Sequence, residues 1–415
     1  VSGHPAVQLT PEESTAWPKR FIDQAGIAPD RINLVFGGGL VEELARPEFA
    51  RTRIEVLRLP VTPRHFKLVL PKRGPDESRL SDFIPSEKDY ALGRVYRPAA
   101  ADQVVAQLER TRCALVRGVG ACGKSVLAWL LALEAAEQRR PAYLLDLADY
   151  VDASPDIGNA LVEDLYRFGH PQVLFLLDNC HLNESLAKEV IMAWEATVLS
   201  QQPRLLLLGR ELHTSRGSLI DGLKIEPLTL KARQPEVRGV YLRLARRRTG
   251  DQPPPEPPPE VLDDWVNVFG GDPRSPDTTT DLIAFSAAVR GRLEALLKGR
   301  FALSEADAIH EVQSVYLDRL GDGETRNLMR LCAMEELEMS LDDEALVDRR
   351  AGFNLCNRRY GLVFHQTVGA IEKYVRYRLA HAALGRLILK SARAPVDPLA
   401  ERSVVASQYP HAGVA

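Results

Sequence analysis

The sequence contains no apolar run of the ~18 residues that a membrane-crossing helix needs, and its start carries no signal-peptide pattern. Cysteine is scarce. The five residues, at 113, 122, 180, 332 and 356, are odd in number and include no CxxC pair. That pattern argues against both a disulfide framework and a zinc site, and a reducing, cytoplasmic setting is expected. Charge of one sign is also lacking. The 53 basic and 56 acidic side chains leave a formal net charge of −3, so nothing draws the whole chain toward nucleic acid or an acidic membrane. The local basic run RLARRRTG, 243 to 250, reads as a solvated helix end.

The 415 residues are 45 % apolar and 26 % charged, ordinary for a globular protein and enough for two to four domains. The first residue is Val and the last residues, QYPHAGVA, form no evident end of a fold, so a segment of a longer protein is expected. Residues 1–92 read as a small α/β unit of unknown role, with strand-like INLVF, RIEVLRL and HFKLVL and a tight turn at VFGGGL. From 93 to 250, near-continuous apolar runs (CALVR, AYLLDL, QVLFLLD, PRLLLLG, LKIEPL) alternate with helical segments. This is the pattern of a parallel sheet covered on both faces. DQPPPEPPPE, 251–260, can be neither helix nor inner strand and marks a boundary. A helical region follows to about 320, and short helices with a hairpin (GLVFH, YVRYRLAH) fill 321–395 before a tail at 396–415. Helices followed by a hairpin are the ingredients of a winged helix.

One motif carries chemistry. Gly118, Gly120 and Gly123, followed by Lys124 and Ser125, lie in a stretch that satisfies G-x-x-x-x-G-K-[ST] between an apolar strand and a helix. Glycines let backbone N–H groups approach phosphate oxygens, and the helix start adds a positive dipole end. Lys124 is expected to neutralise β- and γ-phosphates and Ser125 to hold Mg²⁺. Asp178, ending QVLFLLD, is the expected second Mg²⁺-orienting group. Asn179 stands where many ATPases carry an acid. An amide can position water but cannot take its proton, so slow or absent hydrolysis is expected, and Asn179→Asp or Asn179→Glu is expected to raise turnover if Asn179 occupies the catalytic position. Spacing alone leaves Arg210, after PRLLLLG, either beside the γ-phosphate or as a solvated strand end. Cys122, inside the loop, reads as a small tolerated side chain.

These pieces resemble the STAND class of P-loop ATPases, which includes the NB-ARC and NACHT groups, over roughly 93–392. LLDNCHLNESL is similar to that class's acidic-strand motif, with Asn179 departing from it, and LLLLGRE is similar to its sensor strand ending in Arg210. FGGDP is similar to its Gly-x-Pro element, which would place Pro273 near the adenine. The resemblance further implies a winged-helix domain whose histidine meets the β-phosphate of ADP. Here only His381, in Ala380-His381-Ala382, matches that tripeptide, and a helix cap or core residue is the other reading. The class implies an ATP/ADP switch with Mg²⁺, closed with ADP, and forming a homo-oligomer when ATP-bound under an unknown protein trigger or effector, often in bacterial defence or regulation. The expected fold is therefore α/β: a parallel-sheet P-loop NTPase domain, then a helical and a winged-helix domain, behind the small N-terminal unit. A DNA-binding ATPase using the winged helix, or a non-catalytic nucleotide-binding scaffold, are the alternatives. Nucleic acid and membrane are not expected as partners.

Overall fold

The computed structural model describes residues 65–69, 89–90, 92–138, 140–150, 155–198, 202–210, 225–250, 252–271, 278–337, 341–342, 345–346, 363–368, 374–379 and 381–392, with isolated positions elsewhere. INLVF, VFGGGL, RIEVLRL, Pro273 and Cys356 lie outside the described residues.

Six strands form one sheet: β1 (Lys67–Leu68), β2 (Cys113–Gly118), β3 (Ala142–Asp146), β4 (Leu174–Asp178), β5 (Arg204–Arg210) and β6 (Pro227–Thr229). Their spatial order is β1-β3-β4-β5-β2-β6. Every pairing is parallel except β1 with β3. HFKLVL, grouped by sequence with the N-terminal unit, thus supplies an antiparallel edge strand to this sheet.

The apolar runs have a simple cause. Side chains of successive strand residues point to opposite faces, and here both faces are covered. Leu205 and Leu207 join Phe175 and Leu177 beneath α3 (Pro155–Phe168) and α4 (Glu184–Ala196). Leu206 and Leu208 join Ala114, Val116 and Leu176 beneath α1 (Ala100–Thr111) and α2 (Lys124–Glu137). Neither face of β5 reaches water, so no polar alternation appears.

A second core gathers α5 (Gln234–Thr249), α6 (Pro259–Gly270), α7 (Leu282–Leu296), α8 (Glu305–Val315), α9 (Asp322–Glu336) and α10 (Ala382–Ser391). Trp265 anchors it, packed against Tyr241, Phe285 and Phe301 and donating its indole N–H to the Phe301 carbonyl at 2.8 Å. By packing, α5 belongs to this helical core although it precedes the proline run. The run interrupts secondary structure but not the core. It lies back along α5, where the Tyr241 hydroxyl donates to the Pro255 carbonyl at 2.8 Å. The remaining strands, β7 (Leu341–Asp342), β8 (Val363–Val368) and β9 (Tyr374–Leu379), make an antiparallel sheet in the order β7-β9-β8. The described residues thus form a mostly parallel α/β sheet domain followed by a helical region.

The basic run at 243–250 is only partly the solvated end expected of it. Arg243 is 2 % exposed and pairs with the buried Asp89 at 3.5 Å, and Arg247, one turn on, pairs with the same carboxylate. Among the described residues, no helix is long and apolar enough to cross a membrane.

Candidate nucleotide site

The chain leaves β2 for β3 on one side of the sheet and returns to β6 on the other, and the carboxyl end of β2 therefore lies at a switch in strand order, the place where open α/β sheets bind ligands. The loop joining β2 to α2 occupies it. The loop needs unusual backbone. Gly123 has φ +97°, and at Gly118 a Cβ would stand 2.6 Å from the Leu230 carbonyl oxygen and 2.7 Å from Cys122 Sγ. Cys122 is itself buried under the loop, its thiol pKa pushed up by burial, which suits a packing role. Lys124 donates to the Gly118 and Val119 carbonyls at 2.7 and 2.8 Å, and burial lowers its pKa.

Ser125 and Asp178 meet as the spacing predicts: the Ser125 hydroxyl donates to Asp178 Oδ2 at 2.6 Å. Burial first, and the charge of Asp146 second, raise the Asp178 carboxyl to about 6. A hydroxyl and a hard carboxylate side by side, at the start of a helix and beside a glycine cradle, fit Mg²⁺ with a nucleotide's phosphates. These two residues would hold the ion, which would supply charge neutralisation on the phosphates.

Arg210 ends the strand beside β2, in register with Gly118. A Cβ on Gly120 would lie 3.7 Å from Arg210 Nη2 and 3.1 Å from Arg386 Nη2. Arg386, on α10, was not singled out by sequence, because an arginine in an amphipathic helix carries no motif. His381 caps α10: its Nδ1 accepts the Ala383 N–H at 3.1 Å. The same ring is close enough to Lys124, Arg210 and Arg386 that, after burial, these cations lower its pKa to about 4, leaving it neutral at pH 7. The cap and the phosphate-facing readings of His381 are therefore compatible. With Nδ1 accepting, Nε2 carries the proton. His181 behaves alike: its Nδ1 accepts the Arg210 backbone N–H at 3.3 Å, and burial, then Arg210 and Lys124, lower it to about 4. The helical region also reaches the loop, since the Leu282 N–H donates to the Ala121 carbonyl at 3.1 Å.

Asn179 is placed differently from expectation. It takes left-handed backbone, φ +55°, and its Nδ2 donates to Asp146 Oδ1 at 2.8 Å. The amide is committed to a carboxylate at the end of the neighbouring strand. An acid at 179 would face Asp146, and the repulsion there runs against a gain of turnover in Asn179→Asp. Asp146 itself was missed. Its signal, an acid ending an apolar strand as Asp178 does, was present in AYLLD.

No protein-family model matches the chain, and no curated protein matches it. Among solved structures the chain is similar to the Walker-type ATPase paby2304 of Pyrococcus abyssi, with a TM-score of 0.33 and 12 % identity, covering 76 % of this chain and 99 % of that one.

Proposed function

We propose that this chain is an ATP- and ADP-binding switch of the STAND type, in which nucleotide exchange with slow hydrolysis controls the docking of the C-terminal region and, through it, assembly with further copies. One observation carries the reading: Arg386, on α10, and His381, at its N-cap, stand at the same glycine loop as Lys124, Ser125 and Arg210. A nucleotide there would contact both the sheet domain and α10. Its phosphate number would then bias whether α10 stays docked, provided that the docked and undocked states bind the nucleotide with different affinity. The order β7-β9-β8 beside α9 and α10 supports a winged-helix reading of that region.

Titration with fluorescent ADP and ATP in the presence of Mg²⁺ tests the core of this. Wild type binds both, and Lys124→Ala weakens binding by roughly 100-fold or more, about 2.7 kcal/mol. Unchanged affinity in that variant removes the site assignment. Light scattering with ADP and with a non-hydrolysable ATP analogue tests the switch, whose signature is a mass that grows only with the analogue.

A further inference from the structure

Two acids end adjacent parallel strands in register, Asp146 on β3 and Asp178 on β4. Asp178 is occupied: it accepts the Ser125 hydroxyl at 2.6 Å and the Asn179 backbone N–H at 2.8 Å. Asp146 has a different set of partners. One oxygen takes the Asn179 amide at 2.8 Å and the Ala148 backbone N–H at 3.0 Å. The other takes Arg378 Nη2 at 3.4 Å, while Nη1 of the same guanidinium donates to Asp149 at 2.9 Å. Arg378 belongs to β9, in the C-terminal antiparallel sheet. The next residue fastens that strand, because the Leu379 N–H donates to the buried Glu335 carboxylate at 2.8 Å. Asp149 has a second cation, Lys67, at 3.3 Å, so it keeps a partner if Arg378 leaves.

We propose that Asp146 is the general base of nucleoside triphosphate hydrolysis and that Arg378 is its removable brake. The inference rests on the nucleotide-switch reading and supplies the base that Asn179 cannot be. A water oxygen bonds to the terminal phosphorus as the bond from that phosphorus to the bridging oxygen breaks. The diphosphate leaves with the electron pair. One water proton passes to the Asp146 carboxylate and from there to solvent. Asn179 orients Asp146 through its amide and takes no proton. While β9 is docked, the guanidinium occupies the oxygen that would meet the water. Undocking of β9 leaves Asp146 with the Asn179 amide and the Ala148 N–H on one oxygen and uncovers the other, so the C-terminal movement that opens the switch also enables its hydrolytic reset.

The test uses the full chain, with phosphate release, fluorescent-ADP binding and amide hydrogen exchange as readouts. Arg378→Gln is expected to raise phosphate release about tenfold and to speed exchange over Tyr374–Leu379, with ADP affinity within about twofold of wild type. Asp146→Asn is expected to lower release about 100-fold, to speed the same exchange through loss of the ion pair, and to leave ADP affinity alike. The double variant gains nothing over Asp146→Asn. Wild-type turnover in Asp146→Asn overturns the base. Unchanged turnover and unchanged exchange in Arg378→Gln overturn the brake. A wild-type chain that binds no nucleotide overturns the switch reading as well, which separates the two failures.

Discussion

Replacing Asn179 by Asp exchanges a donor for a second acceptor 2.8 Å from Asp146. Two unit charges about 4 Å apart repel by about 4 kcal/mol at an effective dielectric of about 20. Asp146 is 31 % exposed and Arg378 lies against it, so water and the guanidinium screen part of this. We take about 2 kcal/mol for the repulsion and about 1 kcal/mol for the lost hydrogen bond. The total, about 3 kcal/mol, corresponds to about two pKa units, which lifts the new carboxyl toward about 6 in the folded state. The sign follows from linkage. An acid whose folded pKa is raised binds its proton more tightly in the folded state, so its cost is full above the raised value and gone below about 4. Thermal denaturation of variant and wild type at pH 8 and pH 5 measures the difference. The variant melts roughly 5 °C lower at pH 8, and the gap narrows clearly at pH 5. A gap independent of pH, or none at pH 8, refutes the placement of the Asn179 amide on Asp146.

Ser125→Ala removes the 2.6 Å donor to Asp178. The strengthening of ADP binding by Mg²⁺ should fall about tenfold or more, as expected for about 1.5–3 kcal/mol in a charged hydrogen bond, while Mg²⁺-free affinity is unchanged; full Mg²⁺ enhancement contradicts the pairing. Leu206→Ala empties a fully buried position between β5 and the α1–α2 layer. It should cost about 2–5 kcal/mol in urea denaturation, and a loss under about 1 kcal/mol contradicts the two-faced burial of the sheet.

The sheet was legible because its strands are buried on both faces, which writes long apolar runs into the chain, and because the glycine loop imposes a fixed spacing on Lys124 and Ser125. Asp178 followed from the strand before it. What sequence could not convey is proximity between distant segments. Nothing in RLARRRTG announces that Arg243 and Arg247 share the buried Asp89. Arg378 and Arg386 are ordinary residues of a strand and a helix until the fold sets them against Asp146 and Gly120. The proline run misled in the opposite sense. It is the most visible break in the sequence, yet Tyr241 on one side and Trp265 on the other pack at 5.6 Å in one core. Asn179 was read from its chain neighbour, whereas its partner lies one strand away.

The loop at Gly118–Ser125 emerges from the ribosome long before Arg386, which stands over it. During synthesis the sheet can form with its phosphate loop while the cap made by α10 does not yet exist. A nascent chain therefore passes through a stage in which the loop is open to nucleotide but the C-terminal restraint is missing. On the switch proposed above, a nucleotide caught then is enclosed only when α10 arrives. If the proposed switch holds, the order of residues along the chain gives the nucleotide an opportunity to be built into the closed form as the protein is made, without a later opening step.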